Sequence, residues 1–486
     1  MTELCLQPAY RLVDQLRTGK VSAVELLEAQ VARMERRNPA LNAVVATDLE
    51  GARARALEAD AKRARGEPCG ALHGLPMTIK DSLEVAGMVT ACGAPSLKEH
   101  RPARNAAAVQ RLLDAGANIF GKTNVPLFAG DVQTFNPVYG TTNNPWNVER
   151  TPGGSSGGAA AALAAGMTTL ELGSDLAGSI RTPAHFCGVY GHKPSYGIVP
   201  TRGHIPGPPG MLSEPDLSVV GPLARSAQDL ALMLPIVAGP IAPMSSGWKL
   251  ELPRPRRASL REYRVQAWLD DPACAVDASM KPTLEAAVEA VRRAGAEVAT
   301  GAPAGISLAE IYDLYFALLG ALFAGGLPEK VYGRARMAGA AASMFGRDHV
   351  NTLPGFLARA TLSHRDYLKL HEKRERLKQK FEVLFASCDV LLLPVTRTPA
   401  PPHNQKGEIY GRRITVNGQA EPYASQFAWI APATLAGLPA TSAPVGRTTD
   451  GLPVGIQIVG AFCEDLGTID FARLLGEVHG GFVAPP

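Results

Sequence analysis

Two short segments combine serine with small residues in a way that could support nucleophilic chemistry. The first, Gly153-Gly-Ser-Ser-Gly-Gly158, is a glycine-flanked serine pair that runs into an alanine-rich stretch. Such a loop lets the backbone approach another group closely and places hydroxyls at a helix N-terminus. The second, Asp175-Leu-Ala-Gly-Ser-Ile-Arg181, sets a serine in a tight segment whose backbone N–H groups could face a developing oxyanion.

Rival interpretations of these serines lack the partners that they require. A phosphate-binding loop of the form G-x-x-x-x-G-K-[ST] needs a lysine that the glycine-rich loop does not have. Gly153-x-Ser155-x-Gly157 matches a nucleophile elbow, but that site needs an acid and then a catalytic histidine downstream. Ser246-Gly-Trp-Lys249 fits S-x-x-K, yet no S-D-N or K-T-G follows it, so chance explains the match. None of the following downstream histidines lies in a Gly/Asp-rich loop: His349, His364, His371, His403 and His479.

A hydroxyl nucleophile needs a base, and Lys80 is the alternative to histidine. It follows the apolar run Met77-Thr-Ile79, where a lysine is unexpected unless it is paired or functional. Burial would lower its pKa and make the neutral amine a proton acceptor. An ion pair with Asp81 or another acid remains open as the structural alternative.

The composition favours a soluble globular protein and excludes several functional classes. The 486 residues carry 49 Lys and Arg against 45 Asp and Glu, so no basic face for nucleic acid is indicated. The longest apolar run, residues 314–328, is shorter than the roughly 20 residues of a membrane helix and indicates a buried helix or pocket wall. Seven cysteines without a C-x-x-C pair predict neither a disulfide framework nor a zinc site. With no signal-peptide pattern at the N-terminus, we expect a cytoplasmic protein.

The distribution of helical and strand patterns predicts one large α/β domain over residues 1–486. Residues 1–66 are predicted to be helical, and residues 70–235 to form the core that holds these motifs. Residues of about 300–430 are predicted to be a mostly helical cover, and residues 435–470 to return to the core. A capping box is predicted at Ser22-Ala-Val-Glu25, and a helix is predicted over residues 106–115. Three strands are also predicted, at Gly188-Val-Tyr190, Val390–Pro394 and Val454–Val459.

Together the motifs resemble the amidase signature family. The resemblance runs from the helices before Lys80 to the C-terminal segments that begin at Gly437 and Leu452. It implies an α/β fold in which a central mixed, mostly parallel sheet is covered by helices on both faces and carries a helical cap region. The region around 300–430 resembles the family least.

The resemblance also implies a Ser–cis-Ser–Lys triad that works through an acyl-enzyme intermediate, without a cofactor or a metal. Ser179 would be the nucleophile, Ser155 the bridging serine after a cis Gly154–Ser155 bond, and Lys80 the base. The oxyanion would be stabilised by the backbone N–H groups of Leu176, Ala177, Gly178 and Ser179.

Further positions match the family in supporting roles. Ser156, Asp175 and Arg181 would support the site, and Ala129 and Gly130 would contact the substrate. The chain departs from the family in two places. Ala177-Gly178 replaces the usual Gly-Gly, which is tolerable unless φ at Ala177 must be positive. Lys193-Pro-Ser195 replaces the usual K-P-T, which keeps a hydroxyl.

The expected function is hydrolysis of a carboxamide, anilide, ester or carbamate on a small apolar or aryl substrate. The apolar side chains of the helical cover favour such a substrate. Two alternatives are a glutaminase subunit of a tRNA-dependent amidotransferase and a catalytically inactive binding protein. The expected partner is a small-molecule amide substrate, and neither a nucleic-acid partner nor a membrane-spanning segment is expected. The sequence does not determine the oligomeric state, and a homodimer is one of the possible states. The aromatic residues expected in the wall are Tyr312, Tyr315, Phe316 and Phe323.

Overall fold

The computed structural model describes residues 2–205, 207 and 209–486. Its α-helices are α1 (Thr2–Leu6), α2 (Ala9–Thr18), α3 (Ala23–Leu41), α4 (Leu49–Ala64), α5 (Ala107–Asp114), α6 (Gly157–Ala164), α7 (Arg181–Cys187), α8 (Ala227–Val237), α9 (Lys281–Arg293), α10 (Leu308–Ala324), α11 (Glu329–Met344), α12 (Leu353–Ala360), α13 (His364–Ser387), α14 (Ala431–Leu435) and α15 (Asp465–His479). Its strands are β1 (Val44–Thr47), β2 (Pro76–Lys80), β3 (Asn118–Thr123), β4 (Phe135–Asn136), β5 (Gly140–Thr141), β6 (Leu170–Asp175), β7 (Tyr190–Lys193), β8 (Val219–Ala224), β9 (Arg264–Ala267), β10 (Glu297–Thr300), β11 (Val390–Pro394), β12 (Arg413–Val416), β13 (Gln419–Pro422), β14 (Ala440–Arg447) and β15 (Pro453–Val459).

One large mixed sheet organises the described residues, as predicted. Its 11 strands run in the order β1-β3-β2-β6-β8-β7-β14-β15-β11-β9-β10. Parallel pairings lie in two flanking blocks, β3-β2-β6 and β11-β9-β10, while the strands between the blocks pair antiparallel. This refines the prediction of a mostly parallel sheet. β14 and β15 are joined only by residues 448–452, and a connection that short can join only antiparallel neighbours.

Helices cover both faces of this sheet. Two successive residues of β7 show this, because their side-chain positions face different helices. A Cβ on Gly191 would lie 2.8 Å from Ile180 and 3.0 Å from Ala184, at the start of α7. The next residue, His192, makes a 3.0 Å contact with Asp465 at the start of α15. Because successive residues of a strand face opposite sides, α7 and α15 lie on opposite faces of the sheet.

Most local predictions are confirmed, and one differs for a clear reason. Ser22 Oγ accepts a hydrogen bond from the Glu25 amide, and the Glu25 carboxylate accepts one from the Ser22 amide, so the capping box is complete. The helix predicted over 106–115 is α5, and the two late strands are β11 and β15. The strand predicted at Gly188 begins only at Tyr190, because Gly188 adopts φ +70° and ends α7.

The region predicted as a helical cover contains α10 to α13, and then β11 rejoins the main sheet. The apolar run of residues 314–328 forms the second half of α10 and the turn after it, and most of its side chains up to Leu319 are buried. Within the described residues, the structure contains no helix with both the length and the apolar character needed to cross a membrane. The division of the chain into one domain stays a prediction.

Candidate active site

Lys80 is the last residue of β2, and its amine lies among serine hydroxyls. Its Nζ donates to Ser155 Oγ at 2.6 Å and to Ser174 Oγ at 2.9 Å, and the side chain is fully buried. In the part of the chain that the structure describes, Lys80 forms no ion pair with Asp81 or with another acid, so the structural alternative for Lys80 is wrong. Burial lowers the pKa of Lys80 to about 7, although the negative charge of Asp175 partly opposes this lowering. An amine with this pKa is substantially neutral near pH 7 and can accept a proton.

Close packing of the glycine-rich loop places Ser155 beside this amine. A Cβ on Gly153, which has φ +87°, would lie 2.9 Å from the Pro183 Cα. A Cβ on Gly154 would lie 2.5 Å from the Asp131 carbonyl oxygen. Both positions therefore require glycine. The Gly154–Ser155 peptide bond is cis, as the resemblance implies.

Ser179 lies in the loop between β6 and α7, and it lines the same cavity as Ser155. The Ser156 amide donates to the Ser179 carbonyl oxygen at 3.1 Å, and Ser156 Oγ donates to the Ser174 carbonyl oxygen at 3.5 Å. Ser156 thus joins the two serine loops through its backbone and side chain. Across the described residues no hydrogen bond joins the hydroxyls of Ser155 and Ser179.

The carboxylate of Asp175 shapes the loop that precedes Ser179. It accepts hydrogen bonds from the amides of Gly178, at 3.0 Å, and Ile180, at 3.1 Å. The Gly178 N–H therefore already donates to Asp175 and is not available to an oxyanion. Three of the four predicted oxyanion donors remain: the amides of Leu176, Ala177 and Ser179. Gly178 adopts φ +85°, whereas Ala177 is not among the residues with positive φ. The alanine that departs from the family pattern consequently fits without backbone strain.

Asp175 and Arg181 form a fully buried ion pair with an Nη2–Oδ1 distance of 2.8 Å. Burial alone would raise the pKa of Asp175, but the charge and hydrogen bonds of Arg181 outweigh it and hold that pKa below its ordinary value. Arg181 also donates to the Ile430 carbonyl oxygen at 3.0 Å, to Gln457 Oε1 at 2.5 Å and to Thr434 Oγ1 at 2.7 Å. The pair therefore connects the Ser179 loop to α14 and to β15.

The cavity above the serines has a volume of about 110 Å³, and the described residues that line it include no Asp, Glu, Lys or Arg. Of the two residues predicted to contact the substrate, Ala129 lines this cavity and Gly130 does not. Of the four aromatic residues expected in the wall, only Phe323 reaches it. The lining residues are Phe128, Ala129, Ser155, Ser174, Leu176, Ser179, His204, Pro215, Ser218, Leu322 and Phe323. Over the described residues, no group of three or more His, Cys, Asp or Glu side chains is placed to hold a metal.

Tyr312, Tyr315 and Phe316 are buried behind this wall instead of lining it. The Tyr315 hydroxyl donates to the Leu176 carbonyl oxygen at 3.0 Å, so α10 is bonded directly to the loop before Ser179. Since C=O and N–H point in opposite directions across a trans peptide, this bond also fixes the direction of the Ala177 N–H.

Comparison with known proteins gives one family over most of the chain. The model of the amidase family matches residues 25–468. The chain belongs to the amidase family. It is therefore an enzyme that acts on amide bonds, and the resemblance seen in its motifs is confirmed.

Individual relatives extend over almost the whole of this amidase-family chain. It is 34% identical to a subunit of the glutamyl-tRNA(Gln) amidotransferase of Synechococcus sp. (strain CC9605), over 96% of this chain and 94% of that protein. A crystal structure of an amidase is 29% identical, with a TM-score of 0.75 over 97% of this chain and 99% of that one. The structure of 6-aminohexanoate cyclic dimer hydrolase is 27% identical, with a TM-score of 0.78 over 99% of both chains.

Two residues near Lys80 were missed by the sequence analysis. Ser174 contacts the Lys80 amine, and His204 Nε2 lies 2.8 Å from Ser174 Oγ. Ser174 directly precedes Asp175 within the motif block, which is a weak signal. His204 lies in the Gly/Pro-rich stretch 201–210 and is not among the five histidines compared above with a triad base. Neither contact can be inferred from spacing.

Replacing Asp175 by asparagine should strongly destabilise this amidase-family fold. The Asp175→Asn variant leaves the Arg181 guanidinium buried without its counter-charge, which costs about 3–5 kcal/mol of unfolding free energy. Urea unfolding followed by circular dichroism measures this loss. Asp14→Asn, which removes the acid of an exposed pair with Arg17, is the matched control and should change stability by less than about 1 kcal/mol. A similar small loss in both variants would show that the buried pair contributes little.

Proposed function

We propose that this enzyme hydrolyses amides through Ser179 as nucleophile, Ser155 as proton relay and Lys80 as base. One observation carries the proposal: a fully buried lysine amine lies 2.6 Å from a serine hydroxyl in the wall of a cavity that also holds Ser179. A serine hydroxyl is a weak nucleophile at its free pKa and needs an adjacent base. Lys80, with its pKa lowered to about 7 by burial, supplies that base.

The proposed reaction begins with proton transfer along the side chains. Neutral Lys80 takes the proton of Ser155, which takes that of Ser179 as Ser179 Oγ bonds to the carbonyl carbon. The amides of Leu176, Ala177 and Ser179 stabilise the negative charge on the carbonyl oxygen. Ser155 then passes a proton to the leaving nitrogen, and the C–N bond breaks. Water attacks the acyl-enzyme through the same relay and releases the acid.

The lining of the cavity favours a neutral amide with an apolar or aryl group. Phe128, Leu176, Leu322 and Phe323 offer apolar surface to such a group. The polar groups among the described lining residues are serines and one histidine, and burial holds the pKa of that histidine, His204, at about 3, so it is neutral. An uncharged wall gives no compensation for the lost hydration of a charged substrate group.

The second candidate is the glutaminase subunit of a tRNA-dependent amidotransferase. The sequence comparisons support it better than they support the first candidate, because the relative from Synechococcus is named as part of a glutamyl-tRNA(Gln) amidotransferase and is 34% identical over nearly the full chain. The chemistry of the cavity points the other way, since glutamine carries an α-ammonium and an α-carboxylate. Both candidates share the same Ser179 chemistry and differ in the acyl group.

A panel of amides distinguishes the two candidates. Purified protein is incubated with anilides, aliphatic amides, aryl carbamates and glutamine, and the products are measured by mass spectrometry. We expect kcat/KM for the best apolar or aryl amide to exceed that for glutamine by at least about 100-fold, because the charged α-groups find no partner in the wall. Turnover of glutamine above that of every apolar amide would overturn the proposed substrate class and favour the second candidate.

A further inference from the structure

The amine of Lys80 has two hydroxyl neighbours, and only one of them belongs to the proposed relay. Ser155 Oγ lies 2.6 Å from Nζ and Ser174 Oγ lies 2.9 Å from it. A neutral amine has two N–H donors and one lone pair. To act as a base, Lys80 must turn the lone pair toward Ser155 and use an N–H toward Ser174. The Ser174 oxygen must therefore accept a hydrogen bond from Lys80.

This requirement decides where the proton of Ser174 points. Among the described residues, Ser174 Oγ has two hydrogen-bonding side-chain partners, Lys80 Nζ and His204 Nε2, the latter at 2.8 Å. Since the oxygen accepts from Lys80, the hydroxyl proton must be donated to His204. Nε2 then accepts, and the imidazole proton lies on Nδ1. Ser82 Oγ, 3.1 Å from the same nitrogen, is the weaker neighbour.

The environment of His204 keeps it in the form that this arrangement needs. Burial lowers the pKa of His204 to about 3, and the nearby positive charge of Lys80 contributes to that lowering. The imidazole is therefore neutral wherever Lys80 titrates, and Nε2 keeps its lone pair. Without that acceptor, the Ser174 hydroxyl would be free to rotate and donate to the Lys80 lone pair, in competition with Ser155.

We propose that His204 is a positioning residue that holds the proton of Ser174 and thereby directs the lone pair of Lys80 toward Ser155. The proposal rests on the proposed function, because it assigns His204 a task only if Lys80 is the base. No proton passes through Ser174, and the hydrogen-bond partners of the imidazole among the described residues are Ser174 and Ser82, not a member of the proposed triad. His204 acts through Ser174 on the orientation of the base.

The test compares His204→Leu, which removes the acceptor, with His204→Gln, which offers an amide oxygen near the position of Nε2. We measure kcat and KM for the best amide, and the rate at which a fluorophosphonate probe labels Ser179, from pH 5 to 10. His204→Leu should lower kcat and the labelling rate about 10- to 100-fold at every pH, because the base is misaligned, with a much smaller change in KM. His204→Gln should recover most of that loss.

A double-mutant cycle with Ser174→Ala separates positioning from general damage. Because His204 acts only through Ser174, the double variant Ser174→Ala/His204→Leu should be no slower than the Ser174→Ala variant. Ser82→Ala, which removes the other hydroxyl at the same nitrogen, should keep kcat near that of the unmodified enzyme. If His204→Leu does not fold, as judged by circular dichroism, His204→Phe replaces it.

The outcomes distinguish this inference from the proposed function. Labelling of Ser179 in the unmodified enzyme, with equal rates in His204→Leu, would overturn the inference alone. If the fold-losses in kcat of the two single variants multiply in the double variant, the inference is also overturned. A loss of kcat in Ser82→Ala equal to that in His204→Leu would have the same consequence. Absence of Ser179 labelling in the unmodified enzyme, with turnover retained by Ser179→Ala, would overturn the proposed function and the inference with it.

Discussion

Replacing Ser179 by alanine should lower kcat for the best amide by at least about 10⁴-fold. The variant removes the oxygen that forms the acyl-enzyme, and no other hydroxyl of the cavity occupies the loop shaped by Asp175. Ser179 is 8% exposed and faces the cavity, so the loss of one oxygen atom should leave the fold unchanged. The residual rate is measured with product detection by mass spectrometry and concentrated enzyme.

The control for this variant is Ser218→Ala, a second serine in the lining of the same cavity. Ser218 has no role in the proposed relay, so its loss should affect kcat far less than the loss of Ser179. Intact-mass measurement after brief mixing with substrate adds an independent test, because an acylated form should appear in the unmodified enzyme and not in Ser179→Ala. Retention of the acylated form by Ser179→Ala would exclude Ser179 as the nucleophile.

Replacing Lys80 by methionine should lower kcat/KM by about 10³-fold or more, a size expected for the loss of a general base together with its relay. Methionine keeps the length and apolar stem of lysine and removes the amine that bonds Ser155 and Ser174. Because a buried lysine with a lowered pKa is costly to keep charged, the variant should be at least as stable as the unmodified enzyme. Thermal unfolding checks that point.

The same lysine sets the sign of the pH dependence. Burial lowers the pKa of Lys80 from its ordinary value to about 7, and the neutral form is the base. The rate should therefore rise tenfold per pH unit below about pH 7 and level off above it. The residual activity of Lys80→Met should not show this rise of the rate with pH. A rate that falls as the pH rises from 6 to 8 would contradict a neutral lysine base.

Lys193 provides the matched control for this assignment. It is also fully buried, with its pKa lowered by burial to about 7, but its Nζ donates to the Pro194 carbonyl oxygen at 2.7 Å and it does not line the cavity. The Lys193→Met variant should keep the rise of the rate near pH 7. Loss of the rise in Lys193→Met, with its retention in Lys80→Met, would show that the titration belongs to Lys193 and not to Lys80.

The sequence by itself determined the family and most of the local elements that it predicted, and the resemblance to that family implied the three side chains of the proposed triad. These features are local, because capping residues, apolar spacing and the two serine motifs depend on neighbours within a few positions. The capping box at Ser22, the apolar strand before Lys80 and the glycine-rich loop before α6 were accordingly predicted from the residues alone. The mixed α/β sheet followed from the resemblance that the same motifs carry.

The tertiary structure decided how these residues meet and which of their groups are available. Lys80 lies 75 residues from Ser155 and 94 from Ser174, so their contacts depend on strand order and not on spacing. Burial in the assembled sheet gives Lys80 its lowered pKa, and desolvation cannot be inferred from a sequence position. The bond from Gly178 to Asp175, the absence of Gly130 from the lining and the place of His204 have the same origin. The Gly178–Asp175 bond depends on how a short loop folds under the packing around it, and the other two arise from contacts between segments distant in the chain. Local patterns encode none of the three.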